Sequence, residues 1–387
     1  MSGANSVGGE RARSPVALDG MGGDHAPEAT VEGALKAVAS GAHVVITGPE
    51  GEIRRHLESC AKKLDLDLDS MISYPSGASE ISGGSTEPAN SEAWAKTNRG
   101  SLRIEDAPDT VGMGEEPARA VRSKPRSSIA VACSLVAEGK ASAVVSAGST
   151  GAAVAGAVFK FGRIKGISRP ALATVVPFPA HPIILIDSGA NADCKPGQFL
   201  DFAVMGSVFA EAALGHSPPR VGLLNIGEEE SKGSALYKTA FNILRSVASL
   251  SECPFEFVGN VEGYDLPHGK ADVVVTDGFT GNVVLKLSEG IARSLIQEIV
   301  SAIASKTTGE TQAQAVGALL ELRQKVNADG RGGACLLGVN GLTVIAHGSS
   351  NSESICRAIL FASSERAAGI QQRIAEVAPW TAAADAI

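Results

Sequence analysis

Short apolar runs recur along the chain, each ending in a turn rich in Gly, Asp, Ser or Asn and leading into a segment of helical period. The runs are Val16–Leu18, His43–Thr47, Ala143–Ser146, Leu172–Val176, Ile183–Ile186, Val221–Asn225, Phe255–Val258, Val273–Thr276 and Thr343–Ala346. Most are continuously apolar rather than alternating, as in strands buried on both faces of a mostly parallel sheet. Between them, Pro27–Ser40, Ser128–Glu138 and Leu200–Ala213 place apolar residues at helical spacing. The pattern predicts an α/β protein, a three-layer α/β/α sandwich with helices on either side of the sheet.

Two segments break this rhythm. Residues 75–105 are rich in Ser, Gly, Asn and Glu and read as a mobile insertion. Residues 287–326 read as a helical hairpin protruding from the sheet, its two helices joined around Thr307–Gly309. The first carries Leu287, Ile291, Leu295, Ile299 and Ile303 at a strict spacing of four. The remainder divides into a disordered lead at 1–14, a single large α/β/α domain at 15–370 and a C-terminal tail at 371–387. The lead is rich in Gly, Ser and Arg and lacks the apolar region of a signal peptide.

Composition narrows the function. The chain has 387 residues, 44% of them hydrophobic, ample for a large core. A formal net charge of −8 argues against a general nucleic-acid binder. It leaves room for a small anion held by backbone amides and local cations. The six cysteines form no CxxC pair and no zinc spacing, as expected of free thiols in a reducing cytosol. No apolar stretch reaches the roughly 18–20 residues needed to span a bilayer. No GxxxxGK[ST], no GxGxxG after a strand, no HExxH and no GxSxG occurs, which removes support for P-loop, dinucleotide-binding, zincin and serine-hydrolase chemistry.

Ligands of open α/β sheets gather beyond the carboxyl ends of the strands, so the turns there hold the candidates. In LDGMGGDHAPE, Asp19 ends a strand, Gly22 and Gly23 permit a tight turn, and Asp24 and His25 face a ligand. In SAGSTGA, Gly148, Ser149, Thr150 and Gly151 bring N–H groups, hydroxyls and the positive end of a helix dipole together, a cradle for phosphate. DSGANADCKP supplies Asp187, Asn191 and Lys195 after a strongly apolar strand. LLNIGEEESKG offers Asn225, TDGFTGNVVLK offers Asp277 and Asn282, and AHGSSN offers His347. The basic pieces RSKPR and RIKGISRP are local cations in an acidic chain, and the second contributes Lys165.

These motifs, together with GRIKGISRPALATVVP, FAVMGSVFA and FVGNVEG, resemble the PlsX phosphate acyltransferases in the same order over most of residues 16–365. The resemblance implies a homodimer with a fold related to isocitrate and isopropylmalate dehydrogenases and to phosphotransacetylases. It implies acyl transfer from acyl carrier protein to inorganic phosphate, feeding glycerol-3-phosphate acylation in phospholipid synthesis. It further implies a cytoplasmic protein with peripheral contact at the inner face of the membrane, near a membrane glycerol-3-phosphate acyltransferase. The family form of the second turn is SAGNTG, so Ser149 stands where the family has Asn. Gly20 likewise replaces a common Ala, and Cys335 a common Pro.

For such a reaction phosphate is itself the nucleophile, and no metal or cofactor is expected. Gly148, Ser149, Thr150 and Gly151 are expected to cradle phosphate with help from Lys165. Asn191, Lys195, Asn225 and His347 are candidates for oxyanion contact or leaving-group protonation. Asp19, Asp187 and Asp277 are expected to orient them. A phosphotransacetylase-like enzyme using an acyl-CoA and a non-catalytic scaffold for lipid synthesis are the alternatives.

Overall fold

β-Branched and other apolar residues in succession favour extended backbone and need cover on both faces. The computed structural model describes residues 14–72, 100–326, 333–364, 367 and 369–381. Among these the strands, in chain order, are β1 (Val16–Asp19), β2 (His43–Gly48), β3 (Ser101–Asp106), β4 (Ala143–Ser146), β5 (Ala171–Val176), β6 (Ile183–Ile186), β7 (Arg220–Leu224), β8 (Glu256–Val261), β9 (Val273–Val275), β10 (Ala334–Leu337) and β11 (Leu342–Ile345). Each of the nine apolar runs read from the sequence falls on one of these strands. The chain divides into two compact units, Met1–Arg163 with Val339–Gln371, and Ile164–Gly338 with Gln372–Ile387. They share the residues that the sequence reading assigns to one large domain.

In the first unit the strands lie in the order β3-β2-β1-β4-β11, and every neighbouring pair is parallel. Val16, Ala17, Leu18, Val44, Val45, Ile46, Val144 and Val145 are wholly buried. At about 1.5–3 kcal/mol per large apolar side chain, this double-faced burial is the chief source of the unit's stability. Helices Glu28–Ala39 and Ser352–Ala362 pack on each other, and Ser128–Ala137 and Thr150–Phe161 form a second packed pair. The parallel arrangement carries every βα turn to one edge of the sheet.

The second unit runs β10-β5-β6-β9-β7-β8, with β5 antiparallel to both its neighbours and the other pairs parallel. Helix Pro196–Leu214 opens with a proline at its first position and ends at Gly215 in the left-handed conformation, φ 79°. Phe199, Phe202 and Phe209 are buried against the strands beneath it. Helices Gly278–Lys306 and Gly309–Val326 follow, in contact with each other and joined by two residues. Phe279, Val283, Leu287, Ile291, Leu295 and Ile299 are exposed along the first of them. No helix among the described residues is long and apolar enough to cross a membrane.

One boundary needs correction. The insertion read at 75–105 lies outside the described residues up to 99, but its last residues belong to β3, paired in parallel with β2 from His43↔Ser101 to Gly48↔Asp106. Leu102 is buried, while the polar residues around it blend with the Ser/Gly-rich stretch before them. The edge position of β3 explains its polar composition. The reading at 1–14 lies outside the described residues except for Ser14, and the tail read at 371–387 begins inside a helix, Ile370–Val377.

In the first unit Glu32 ties three helices together. It pairs with Lys36 at 2.9 Å and Lys63 at 3.2 Å, and accepts from the Ser352 hydroxyl at 2.8 Å. Hydrogen bonds from Lys36 and Ser352 hold its carboxyl down at about 2. Because the folded state favours the ionised form, this stability is present above the ordinary carboxylate range and is lost as pH falls toward about 2. Glu32→Gln should cost about 0.5–1 kcal/mol at pH 7. Urea denaturation of both proteins at several pH values should show that gap closing below about pH 4.5; a gap independent of pH would exclude the ionised tie.

Candidate active site

Three turns meet at the carboxyl ends of the adjacent strands β1, β4 and β11 of the first unit. Asp19, the last residue of β1, is 4% exposed. Its Oδ2 accepts from the Ser146 hydroxyl at 2.7 Å, and Ser146 Oγ accepts from the Gly148 amide at 3.0 Å. Burial raises the Asp19 carboxyl above its ordinary range, against the lowering effect of hydrogen bonds from Ser128, Ser146 and the Met21 amide. The chain closes over this pair at Gly22, where a Cβ would stand 2.6 Å from Asp19 Oδ2 and 2.7 Å from the Gly148 amide nitrogen. Any side chain there would force the two turns apart. Gly23 follows at φ 111°, and the Asp24 amide donates to the Gly348 carbonyl at 2.8 Å, fastening the first turn to the one after β11. Asp24, His25 and His347 are exposed on this rim.

Helix Thr150–Phe161 begins at the same edge. Ser149 occupies the N-cap position but makes no side-chain cap hydrogen bond. The sequence suggests Ser149 or Thr150 as a capping hydroxyl, and the structure leaves the start of this helix without one. Gly148, Ser149, Thr150 and Gly151 are half-buried, so the first amides of the helix border a tight, partly open turn.

The second unit builds a different arrangement at the carboxyl ends of β6 and β9. Asp187 is completely buried. Its Oδ1 accepts from the amides of Leu172, Gly189 and Ala190 at 3.0, 3.1 and 3.0 Å. Its Oδ2 accepts from the Asn191 amide at 2.7 Å and from Asn191 Nδ2 at 2.8 Å. Asn191 Nδ2 also donates to the Pro170 carbonyl at 2.8 Å, and the Gly278 amide donates to the Asn191 carbonyl at 2.8 Å. A Cβ on Gly281 would collide with the Asp187 carbonyl oxygen, so the helix from Gly278 starts in direct contact with the end of β6. Asn282 stands beside Gly189, where a Cβ would lie 3.6 Å from its own.

Asp277 caps that helix. Its Oδ1 accepts from the Thr280 amide at 2.8 Å and its Oδ2 from the Thr280 hydroxyl at 2.9 Å. The Tyr237 hydroxyl donates to the same Oδ2 and lies 3.1 Å from Thr276 Oγ1. Burial, and then the bond to Asp277, raises the Tyr237 phenol above its ordinary value, so it stays a donor. Tyr237 is absent from the sequence-derived candidates because it sits inside a helix rather than in a strand-end turn. An aromatic residue with a polar tip, early in the helix after a candidate loop, is the signal that points to it.

The other candidates separate by environment. Asn225 closes its own loop: Nδ2 donates to Asn260 Oδ1 at 3.1 Å and to the Lys232 carbonyl at 3.3 Å, and Oδ1 accepts from the Ile226 amide at 2.8 Å. Lys165 and Lys195 are exposed in the second unit. All six cysteines are free. Burial pushes the Cys133 and Cys335 thiols up to about 12, and burial with the nearby Asp187 pushes Cys194 to about 11. Such thiols make poor nucleophiles at neutral pH.

A family model described as "Fatty acid synthesis protein" matches residues 84–373. The phosphate acyltransferase of Clostridium acetobutylicum is 40% identical over 347 residues, spanning 89% of this chain and 92% of that protein. The phosphate acyltransferase of Desulfitobacterium hafniense strain DCB-2 is 43% identical over 347 residues, spanning 89% and 91%. Among solved structures, a phosphotransacetylase from Streptococcus pyogenes superposes with a TM-score of 0.56 at 16% identity, covering 94% of this chain and 99% of that one. The EutD phosphotransacetylase from Staphylococcus aureus gives 0.53 at 16% identity, covering 91% and 94%. At such identity the structural likeness concerns the fold. The family model takes in the turns around Ser146, Asp187 and Asp277. With a sequence likeness that runs nearly end to end in both partners, the chain belongs to the PlsX-type phosphate acyltransferase family.

Proposed function

We propose that this enzyme transfers a fatty acyl group from an acyl carrier protein thioester to inorganic phosphate, and that the acyl phosphate feeds glycerol-3-phosphate acylation. The observation that carries the phosphate half is the Ser146–Gly151 turn. A buried carboxyl group organises it through Ser146, glycine packing makes it tight, and it opens on a helix start with no side-chain cap. Helix amides left without a partner attract an anion, and a phosphate oxygen satisfies the geometry a capping hydroxyl otherwise would. The acyl-carrier half is supported by membership of the family.

In this reading an oxygen of hydrogen phosphate attacks the thioester carbonyl. The C–O bond forms, the C–S bond breaks, and the phosphate proton ends on the carrier thiol. No protein nucleophile is needed, in keeping with the thiols of Cys133, Cys194 and Cys335, which their surroundings keep protonated. The enzyme's work is to hold the reactants in line, worth about 7–11 kcal/mol, and to stabilise the oxyanion, worth about 3 kcal/mol per placed donor. Asn191 and Asn225 have both amide hydrogens engaged, by Asp187 and the Pro170 carbonyl and by Asn260 and the Lys232 carbonyl, which suits them to positioning their loops. Lys195 and His347 are kept as the contacts proposed for the oxyanion or the leaving group, and Lys165 as the aid proposed at phosphate, on the strength of family membership. Asp187 and Asp277 act through the loops they fasten. The reading includes a homodimer with peripheral membrane contact, supported by the exposed apolar row from Phe279 to Ile299.

Purified enzyme given an acyl carrier protein thioester should release free thiol only when phosphate is present. Release without phosphate, or release from an acyl-CoA alone, would sink the assignment. Lys165→Ala should raise the KM for phosphate about tenfold with kcat little changed, the loss of one charge-assisted contact; an unaltered KM removes Lys165 from the phosphate seat. Asp187→Asn should lower stability by about 3 kcal/mol, because an amide cannot accept from all five N–H groups, and should depress kcat with it. Equal melting temperatures for the two proteins would contradict the hydrogen-bonding pattern.

A further inference from the structure

In the second unit, the edge of the sheet opposite Asp187 and Asp277 holds a cluster that acyl transfer does not use. His181 lies two residues before β6, Asp272 immediately before β9, and Arg220 opens β7. His216 follows helix Pro196–Leu214. The His181 Nε2 stands 2.9 Å from Asp272 Oδ1, and the His216 Nδ1 stands 3.8 Å from the same oxygen. All three ligand atoms fall within 4.8 Å of one another. The ligands of a tetrahedral zinc ion, with bonds near 2.0–2.1 Å, lie about 3.4 Å apart. Closing the cluster on an ion therefore needs side-chain movements of about an ångström.

We propose that His181, His216 and Asp272 form a binding site for one transition-metal dication of the zinc class. The carboxylate is built for this use. Asp272 is 2% exposed, and its Oδ2 is held by the Arg220 amide at 2.8 Å and by Arg220 Nε at 3.1 Å, which fixes Oδ1 toward the imidazoles. Its backbone is anchored too, the Asp272 amide donating to the Arg220 carbonyl and its carbonyl accepting from the Ile184 amide, both at 2.8 Å. A positive group already stands among the ligand atoms: the second guanidinium nitrogen of Arg220 is 2.9 Å from Oδ1 and 3.4 Å from His181 Nε2. An incoming ion displaces the guanidinium, its Nε contact with Oδ2 included. The Arg220 side chain is 37% exposed and can turn outward while its amide keeps Oδ2, a supporting contact of the kind that orients metal-binding carboxylates. Two imidazoles and one carboxylate select Zn²⁺, Co²⁺ or Ni²⁺ over Mg²⁺ and Ca²⁺, which prefer oxygen alone. The half-exposed His216 gives the ion a way in, and a fourth position is left for water. Bound there, the ion fastens the approach to β6, the end of helix Pro196–Leu214 and the start of β9. Nothing in the linear spacing of the three residues suggests it.

The full-length chain, stripped with a chelator, is titrated with Zn²⁺ by calorimetry and with Co²⁺ by visible absorption. The expected result is one Zn²⁺ per chain, tetrahedral cobalt bands, and a raised melting temperature with Zn²⁺ but not Mg²⁺. His216→Ala, which removes a 3.8 Å approach to Asp272 and a tilted ring contact with His181 at the half-exposed rim, should fold normally and bind at least tenfold more weakly. His181→Ala/His216→Ala should lose the cobalt bands. No binding by the unaltered chain overturns the proposal. So does undiminished binding by the double variant, which would place the ion elsewhere in the chain, or equal stabilisation by Mg²⁺.

Discussion

A fully buried carboxylate in an apolar sheet is tolerable only if its oxygens are saturated, and at Asp187 they are. Five N–H groups converge on it, from Leu172 on β5, from Gly189 and Ala190, and from the amide and side chain of Asn191. Each hydrogen bond to a charged acceptor returns about 1.5–3 kcal/mol, enough in sum to offset the several kcal/mol of taking the charge out of water. The consequence is geometric. The loop after β6 can take only the path that aims its amides inward, its Asn191 carbonyl then receives Gly278, and the helix at Gly278 can begin only there. Its cap, Asp277, is locked in turn by Thr280 and Tyr237. One carboxylate thus fixes the starting points of two further segments.

The two units solve the anion problem in opposite ways. At Asp187 the backbone donors are consumed by a residue of the protein. At the Ser146–Gly151 turn the carboxyl group of Asp19 takes a hydroxyl rather than amides, and the helix amides stay available. A carboxyl group raised by burial, as Asp19 is, would also repel the phosphate of the proposed reading less than a fully ionised one.

The fold is legible in the sequence wherever burial on both faces forces an unbroken apolar run, as at Ala143–Ser146 and Ile183–Ile186. It is illegible where an element lies at an edge or among glycines. β3 alternates Leu102 and Ile104 with Arg103 and Glu105, and β10 is a four-residue run beside a Gly-rich stretch. For the candidate turns, strand-end position points to Asp19 and Gly148 in the first unit and to Asp187 and Asp277 in the second, because neighbouring parallel strands bring their ends together within each unit. It cannot tell donors that are spent from donors that remain, and the side-chain N–H groups of Asn191 and Asn225 are engaged by neighbouring groups that no local pattern shows. Tyr237, and the grouping of His181, His216 and Asp272, arise from packing between distant segments, which no local pattern encodes.

The missing cap at Ser149 carries one more consequence. A helix start without a side-chain cap is less stable empty than filled, so on the proposed reading a phosphate seated there is a folding ligand as well as a reactant. Each tenfold rise of free phosphate above its dissociation constant adds about 1.4 kcal/mol to the bound form. On the proposed reading, the order at this edge of the first unit is coupled to the supply of phosphate, and the uncapped start of the helix is where an empty seat would be felt.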